Sequence, residues 1–251
     1  MRIARVLRGG TPAYAIVDGD TIYELQGSPY EHPGRGERIG DLGSTRLLAP
    51  CEPSKVLCIG LNYHAHAAES GQKVPDEPLM FWKPPTSVVG PGDDVVWAPG
   101  SKQIDYEAEL AVVFKKPAKN VAPGAFREYV LGYTCANDIS ARDFQRGDGQ
   151  WSRAKGSDTF CPLGPWIETD LDPSDLRLTG NLNGEVRQNT RTSDLAFNVD
   201  QLVAHLTRYF TMLPGDVLLT GTPAGIGPMN PGDEYEVTIE GIGSLKNRMT
   251  K

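Results

Sequence analysis

Three carboxylates alternate along one short stretch of the chain, IDYEAELAVVFKK. In an extended strand, Asp105, Glu107 and Glu109 point to one side, because successive side chains alternate between the two faces. Ala111 and Val113 continue that side as apolar residues. The acids form either the solvated face of an amphipathic strand or a buried set of ligands for a hard cation. Carboxylates two residues apart repel by about 2.5 kcal/mol at an effective dielectric of 20, so a buried set predicts a cation.

A further acid lies in LGYTCANDISARDFQ, where Asp138 follows a strand-like run from Tyr133 to Ala136. Functional ligands often lie where a strand gives way to a loop, because the scaffold positions the loop. Two glutamates and one aspartate suit Mg²⁺, Mn²⁺ or Ca²⁺ and leave coordination positions for substrate and water. The alternative for this segment is a turn or helix cap, with Arg142 and Asp143 paired at the surface.

Two histidines lie two residues apart in CIGLNYHAHAAES, as His64 and His66. A zinc site is disfavoured, because only His32 and His205 remain as further imidazoles and no repeated β/α pattern accompanies the pair. If HAHAAE is helical, Glu69 shares a face with His66 and raises the basicity of its imidazole. Such a pair predicts a general base that takes a proton from water or from carbon next to a carbonyl. The polar segment SGQKVPDEP after it predicts a mobile lid.

Short strands separated by turns dominate the elements that must position these residues. RIARVL, PAYAIV and TIYEL predict a small antiparallel unit, and the polar stretch QGSPYEHPGRGERIGD after them predicts a linker. Strands become longer and more apolar from SKVLCIGLNY onward. We therefore predict a small N-terminal β domain at residues 1–50 and a catalytic domain at residues 51–251.

One amphipathic helix is predicted in SDLAFNVDQLVAHLTRYFTMLPGD, with Asn198 as its N-cap. Its apolar positions follow the i, i+3, i+4, i+7 spacing at Val199, Leu202, Val203, Leu206 and Phe210. The chain shows no regular strand–helix alternation, so a doubly wound sheet is disfavoured. The pattern favours a mainly β (α+β) fold, arranged as a roll, sandwich or barrel.

The composition is that of a globular protein with a small partner. The 251 residues are enough to bury a core, and 39% of them are hydrophobic against 23% charged. A net charge of −7 without a Lys/Arg cluster argues against nucleic acid or a membrane surface as the partner. The first residues contain no continuous apolar run, so neither a signal peptide nor an anchor is expected.

The four cysteines, Cys51, Cys58, Cys135 and Cys161, show no CxxC pairing. A disulfide framework is unusual in a chain of this size, so reduced thiols and a cytoplasmic location are expected. Two disulfides in a secreted protein are the alternative.

Eight segments together resemble the fumarylacetoacetate hydrolase family, and they span most of residues 54–248. They are GLNYHAHAAE, FWKPPTSVVGPGD, IDYEAELAVV, GYTCANDISARDFQ, AKGSDTFCPLGPW, NGEVRQ, LLTGTPAGIG and GDEYEVTIEGIGSLKN. The resemblance implies a mixed β-sandwich roll with a small N-terminal β unit, usually as a homodimer. It also implies Mg²⁺ or Mn²⁺, with Ca²⁺ as a substitute, and a keto-acid substrate.

The same resemblance assigns roles to residues whose motifs match. It implies a metal site at Glu107, Glu109 and Asp138, with Asp105 behind them. It implies catalytic roles for His66, Glu69 and Lys155, the lysine meeting the developing enolate or carboxylate. Substrate contacts are implied at Arg142, Gln145, Gly221 and Thr222; for the glycine-rich GTPAGIG segment, a plain turn is the alternative.

The expected reaction is hydrolysis of a C–C bond in an acylpyruvate or fumarylacetoacetate type of substrate. Three other reactions remain open: isomerisation of a 2-hydroxyhepta-2,4-diene-1,7-dioate, keto-enol tautomerisation, and decarboxylation of oxaloacetate. A different class, a metal-stabilised β-rich binding protein without turnover, would have no use for His66, Glu69 and Lys155.

Overall fold

The computed structural model describes the whole chain, Met1–Lys251, and consists mainly of strands. Its first ten strands are β1 (Arg2–Arg8), β2 (Thr11–Asp18), β3 (Thr21–Gln26), β4 (Gly34–Asp41), β5 (Leu47–Leu48), β6 (Val56–Gly60), β7 (Leu79–Lys83), β8 (Val88–Val89), β9 (Asp94–Val96) and β10 (Ile104–Tyr106). The others are β11 (Ala108–Phe114), β12 (Val130–Asn137), β13 (Ser140–Ala141), β14 (Cys161–Glu168), β15 (Arg177–Leu182), β16 (Glu185–Arg191), β17 (Val217–Leu219), β18 (Gly227–Met229), β19 (Glu234–Ile239) and β20 (Gly243–Thr250). The helices are α1 (His64–Glu69), α2 (Arg142–Gly147), α3 (Ser152–Gly156) and α4 (Val199–Tyr209).

The strands form three sheets. The largest has twelve strands, ten of them in the order β4-β3-β2-β1-β14-β12-β11-β17-β6-β7, with β5 beside β1 and β8 beside β14. A five-stranded sheet has the order β16-β15-β19-β20-β9, and a small one has the order β13-β10-β18. Most pairs are antiparallel, but β17–β6, β14–β8 and β20–β9 are parallel. These mixed sheets confirm the mainly β roll that the sequence predicts.

The main core lies between the two larger sheets and α4. Leu110 and Val112 of β11 pack there with Val237 of β19 and Leu206 of α4. The opposite face of β11 is also covered, because Ala111 and Val113 belong to a second cluster that includes Val56 and Ile167. Every residue of β11 is buried, so the strand that carries Glu109 runs through the interior rather than along the surface.

The N-terminal strands extend the large sheet. Strand β1 pairs with β14 through Arg2 and Ile3, so residues 1–50 share a sheet with the rest of the chain. The polar stretch predicted as a linker contains β4, which pairs with β3 along the sheet edge; that prediction is wrong. No residue of β4 is buried, so the strand carries no apolar alternation that a pattern would detect. The division at residue 50 stays a prediction.

Helix α4 lies where the spacing predicts it. The side chain of Asn198 accepts a hydrogen bond from the Gln201 N–H at 3.0 Å, and that of Gln201 accepts one from the Asn198 N–H at 2.9 Å. This capping box satisfies two of the free N–H groups at the helix start. None of the helices has the length and apolar composition that crossing a membrane requires. The expected homodimer stays a prediction.

Candidate active site

The acidic stretch forms two strands rather than one. Strand β10 ends at Tyr106 and joins the small sheet, whereas β11 begins at Ala108 in the middle of the large sheet. Only Glu107 lies between them. Asp105 and Glu107 are each 3% exposed and Glu109 is 1% exposed. The solvated acidic face therefore does not occur, and the carboxylates lie inside the protein.

Asp138 joins the two glutamates because β12 pairs with β11 and ends beside them. The Asp138 N–H donates to the Glu107 carbonyl at 2.9 Å, and the Asn137 side-chain oxygen accepts from the Glu107 N–H at 2.8 Å. Carboxylate oxygens of Glu107, Glu109 and Asp138 lie within 4.8 Å of one another. The three acids that were expected to share a metal thus meet at one point, from two separate segments.

Two cations are buried against this cluster. The Lys155 ammonium lies 2.7 Å from Glu107 Oε2 and 2.7 Å from Asp138 Oδ2. The Arg142 guanidinium donates from Nε to Asp105 Oδ2 at 2.8 Å and from a second nitrogen to Glu107 Oε1. Asp105 thus holds Arg142 rather than facing the other acids, which agrees with its expected place behind the site.

The charges around the acids perturb their protonation in opposite directions. Burial alone would raise the pKa of Glu107, but the cations of Lys155 and Arg142 outweigh it and hold this pKa well below its usual range. Burial and the carboxylates of Asp138 and Glu107 raise the pKa of Glu109 well above its usual value. Burial would lower the pKa of Lys155, but Asp138 and Glu107 raise it overall, so this lysine stays charged at neutral pH. Glu109 is the acid that lacks a cation.

A second lysine, Lys83 on β7, lies behind Asp138. It is 1% exposed, and its ammonium donates to the backbone carbonyls of Ile139 at 3.2 Å, of Phe160 at 2.8 Å and of Lys155. The same nitrogen lies 2.6 Å from Asp138 Oδ1. An ammonium has three protons, and the three carbonyls accept all of them. Lys83 therefore offers Asp138 a charge but no well-directed hydrogen bond.

The donor set fits a divalent ion. Asp138 Oδ1 is a buried oxygen without a hydrogen-bond donor. Glu109 accepts a single hydrogen bond on one oxygen, from the Gly221 N–H at 2.6 Å. Hard divalent ions bind such oxygens at about 2.0 to 2.6 Å, which places ligands at most about 4 to 5 Å apart. The cluster has a formal charge of −1, and a bound divalent ion would change this to +1. Its carboxylates are those of Asp105, Glu107, Glu109 and Asp138, and its cations are Lys83, Arg142 and Lys155.

The expected histidine–glutamate pair lies on α1. His66 is 7% exposed, and its Nδ1 lies 3.5 Å from Glu69 Oε2. The Glu69 carboxylate also accepts the Gly225 N–H, at 3.1 and 3.2 Å. Gly225 has a φ of +96°, and an added Cβ would lie 2.1 Å from the Arg187 carbonyl oxygen, so only glycine fits there. Glu69 thus fastens α1 to the loop after β17 and also faces the imidazole.

The implied substrate contacts divide into two groups. Arg142, Gln145 and Thr222 lie on the wall of one cavity, and Arg142 donates to Gln145 Oε1 at 2.7 Å. Gly221 does not line this cavity, and its N–H is directed at Glu109. The hydroxyl of Thr222 donates to the Ala108 carbonyl at 3.0 Å, so its proton is used within the protein. The substrate roles of these residues stay predictions.

The cavity measures about 220 Å³ and brings most of the expected residues together. Its wall includes the three acids, Lys155, His66, Arg142, Gln145 and Thr222. Phe81 and Trp151 form an apolar side, with ring centroids 5.2 Å apart. Glu69 lies outside the wall and reaches the cavity only through His66.

Two residues at the site were not expected from the sequence. Lys83 lies in the quoted segment FWKPP, where a lysine next to two prolines gave no sign of burial. Its placement on β7, paired with β6, turns the side chain toward Asp138. Arg146 also lines the cavity, one helical turn beyond Arg142. The i, i+4 spacing in RDFQR was the available signal for Arg146.

Comparisons with known proteins agree with these observations. The family model described as Fumarylacetoacetate (FAA) hydrolase C-terminal matches residues 55–250, and the one described as Rv2993c-like, N-terminal, matches residues 1–50. Protein Rv2993c of Mycobacterium tuberculosis is 43% identical, over 100% of this chain and 98% of the relative. Human mitochondrial oxaloacetate tautomerase FAHD2A is 42% identical, over 81% of this chain and 69% of the relative. The crystal structure of 2-hydroxyhepta-2,4-diene-1,7-dioate isomerase from Mycobacterium marinum is similar with a TM-score of 0.93 and 42% identity, over 100% and 98% of the two chains.

Proposed function

The chain belongs to the fumarylacetoacetate hydrolase family of enzymes, and from this premise we propose that it catalyses metal-dependent proton transfer next to the keto group of a 2-oxo carboxylic acid. One observation carries the proposal: three buried acids, a charged lysine and a histidine all line one cavity. A binding protein would need the acids for an ion, but it would have no use for the histidine and its glutamate.

The proposal includes Mg²⁺ or Mn²⁺ at Glu107, Glu109 and Asp138, since these oxygens suit a hard ion. The chemistry supplied by such an ion is Lewis-acid polarisation of the substrate's carboxylate and 2-oxo oxygens. Arg142 donates to Glu107 and so fixes the direction of its carboxylate.

The protein's own residues would do the remaining work. Lys155 keeps a positive charge at the cluster, where it stabilises an enolate oxygen as negative charge develops. His66 takes the proton from the carbon next to the carbonyl, and Glu69 stabilises the imidazolium that results. Return of the proton to oxygen gives tautomerisation, and its return to another carbon gives isomerisation. Two relatives carry the names of these reactions, an oxaloacetate tautomerase and a 2-hydroxyhepta-2,4-diene-1,7-dioate isomerase, and they support the proposal.

C–C hydrolysis, the reaction expected from the resemblance, is the second candidate. The His66–Glu69 pair favours it, because the same base would activate a water molecule toward the distal carbonyl of a 1,3-dioxo acid. The first step, stabilisation of an enolate, would be common to both reactions.

The test measures three reactions on one metal-free preparation, before and after Mg²⁺ or Mn²⁺ is restored. They are solvent-deuterium exchange into oxaloacetate, decay of its enol absorbance, and cleavage of acetylpyruvate. We expect metal-dependent exchange and enol decay for tautomerisation, and metal-dependent release of pyruvate for hydrolysis. Turnover that persists after complete removal of metal would refute the proposal, as would a metal-bound protein that is inactive in all three.

A further inference from the structure

The cavity contains one cation that no protein carboxylate neutralises. Arg142 and Lys155 are both paired with buried acids. Arg146 lines the same wall but forms no ion pair, and its only side-chain hydrogen bond goes to Gln103 Oε1 at 3.2 Å. Exposed arginines elsewhere, such as Arg177, also lack an ion pair, so the observation matters because Arg146 faces the cavity.

Helix α2 sets where this free charge lies. Arg142, Gln145 and Arg146 occupy positions i, i+3 and i+4, so they share one face of the helix. Four residues advance a helix by about 6 Å. Arg142 donates to Glu107, and Arg146 follows it by one turn on the same face and lines the same cavity without contacting the acids through an ion pair or hydrogen bond.

Gln103 connects the free arginine to the paired one. Its side-chain oxygen accepts from Arg146, and its amide nitrogen donates to Asp105 Oδ1 at 3.1 Å. Asp105 in turn accepts from Arg142. The guanidinium of Arg146 is therefore oriented by a chain of side chains that begins at the acids, although it is itself exposed. Ser70 and Gln72, which also line the cavity, carry no charge.

We infer that Arg146 binds a second carboxylate of the substrate, so that the site selects 2-oxo dicarboxylic acids over the corresponding monocarboxylic acids. The inference rests on the proposed function, since it places the substrate's 2-oxo carboxylate end at the acids. The 2-oxo carboxylate end of the substrate lies at the acids, where Arg142 and Lys155 are already paired. The distal carboxylate of the substrate meets Arg146, the cation without an ion pair. Arg146 thereby acts on specificity and not on proton transfer.

The test compares two ligands that differ only in a terminal carboxylate or methyl group, 2-oxoglutarate and 2-oxopentanoate. Calorimetry measures both affinities with the Mn²⁺-loaded parent protein, with Arg146→Gln and with Arg177→Gln as the matched control. The ratio of the two affinities should fall roughly three- to tenfold in Arg146→Gln, between the effect of an exposed ion pair and that of a charge-assisted hydrogen bond. The preference of the parent should also weaken with added salt, because the arginine is exposed.

Equal affinities in the parent, or an unchanged ratio in Arg146→Gln, would overturn the inference. So would the same fall in the ratio for Arg177→Gln, since that would be a general charge effect. Kinetics on oxaloacetate provide a second measurement, in which loss of a uniform binding contact raises KM and leaves kcat nearly as in the parent. An intact binding preference in a protein with no metal-dependent turnover would contradict the proposed function but not the role of Arg146.

Discussion

The two walls of the cavity are built differently. The inner wall comprises Glu107, Glu109, Asp138 and Lys155, with Lys83 behind Asp138; all five residues are buried, and four of them come from strands or strand ends. The outer wall comprises His66, Gln72, Gln145 and Arg146, which lie on or next to the short helices α1 and α2 and are mostly exposed or part-exposed; Glu69 supports this wall from outside through His66. Most residues of the inner wall are positioned by strand pairing in the sheets, whereas those of the outer wall are positioned by a few hydrogen bonds of short helices. Substitutions in the inner wall should therefore alter metal binding or folding, and those in the outer wall should alter rate or specificity.

The largest effect is expected from Glu109→Ala. The other two acids are already paired with lysines, so loss of Glu109 should abolish metal binding and with it activity. Its raised pKa reflects burial and repulsion, so the metal-free variant should unfold at the same temperature as the parent or above it. Mn²⁺ titration and thermal melts with and without Mn²⁺ measure both effects. Glu128→Ala, at an exposed position, is the control. If Mn²⁺ still raises the melting temperature of Glu109→Ala, then Glu109 is not a metal ligand.

His66→Ala tests the outer wall. Loss of a general base lowers rates by about 10²- to 10⁴-fold, and kcat for enol decay should fall by that amount. The affinity for Mn²⁺ should match the parent, because His66 contacts Glu69 and not the three acids. His64→Ala is a close control, since this neighbouring histidine is exposed. Loss of Mn²⁺ binding in His66→Ala would mean that this histidine supports the metal site rather than acting only as the base.

Lys83→Met tests whether a buried cation at the inner wall is needed for folding. The variant leaves Asp138 facing an apolar group and removes a donor from three carbonyls, of which only the Phe160 carbonyl keeps another, the Ile139 N–H. Breaking a buried ion pair in this way costs about 3 to 5 kcal/mol in the free energy of unfolding, which urea denaturation measures. Lys119→Met, at an exposed lysine, should change it by less than about 0.5 kcal/mol. If Lys83→Met lowers the free energy of unfolding by less than about 1 kcal/mol, this buried cation is not needed for folding.

The smallest effect is expected from Glu69→Gln, which separates charge from anchoring. The amide oxygen still accepts the Gly225 N–H, but the negative charge beside His66 is gone. We expect activity to fall about tenfold, the lower end for loss of a supporting contact, with the melting temperature as in the parent. Glu69→Ala removes the anchor as well and should be slower still. Equal rates for the two variants would mean that only the charge matters, and a Glu69→Gln protein as fast as the parent would mean that only the anchor matters.

Much of the site followed from local patterns, and the remainder needed contacts between distant segments. Alternation placed Glu107 and Glu109 on one side, and helical spacing brought His66 and Glu69 together. Both patterns act over a few residues. The break of the strand at Glu107 was not predicted, because both faces of this region are buried and alternation alone does not show where a strand changes sheets.

The contacts that sequence patterns did not predict span long distances along the chain. The Gly221 N–H reaches Glu109 across 112 residues, and Lys83 reaches the Ile139 carbonyl across 56. No periodicity encodes which glycine turn will meet which acid. Strand β4 was missed for a different reason, because an edge strand without a buried face has no signature in hydrophobicity.

The pairing of β1 with β14 has a consequence for the behaviour of shortened chains. Strands β1 and β14 meet at the Arg2–Glu168 and Ile3–Ile167 pairs, and Trp166 packs against Val6 and Ile22. A chain that begins at residue 51 would expose these backbone groups together with the indole. Such an uncovered, apolar strand edge is a template for intermolecular pairing, so the truncated protein should self-associate even where its catalytic cavity is intact.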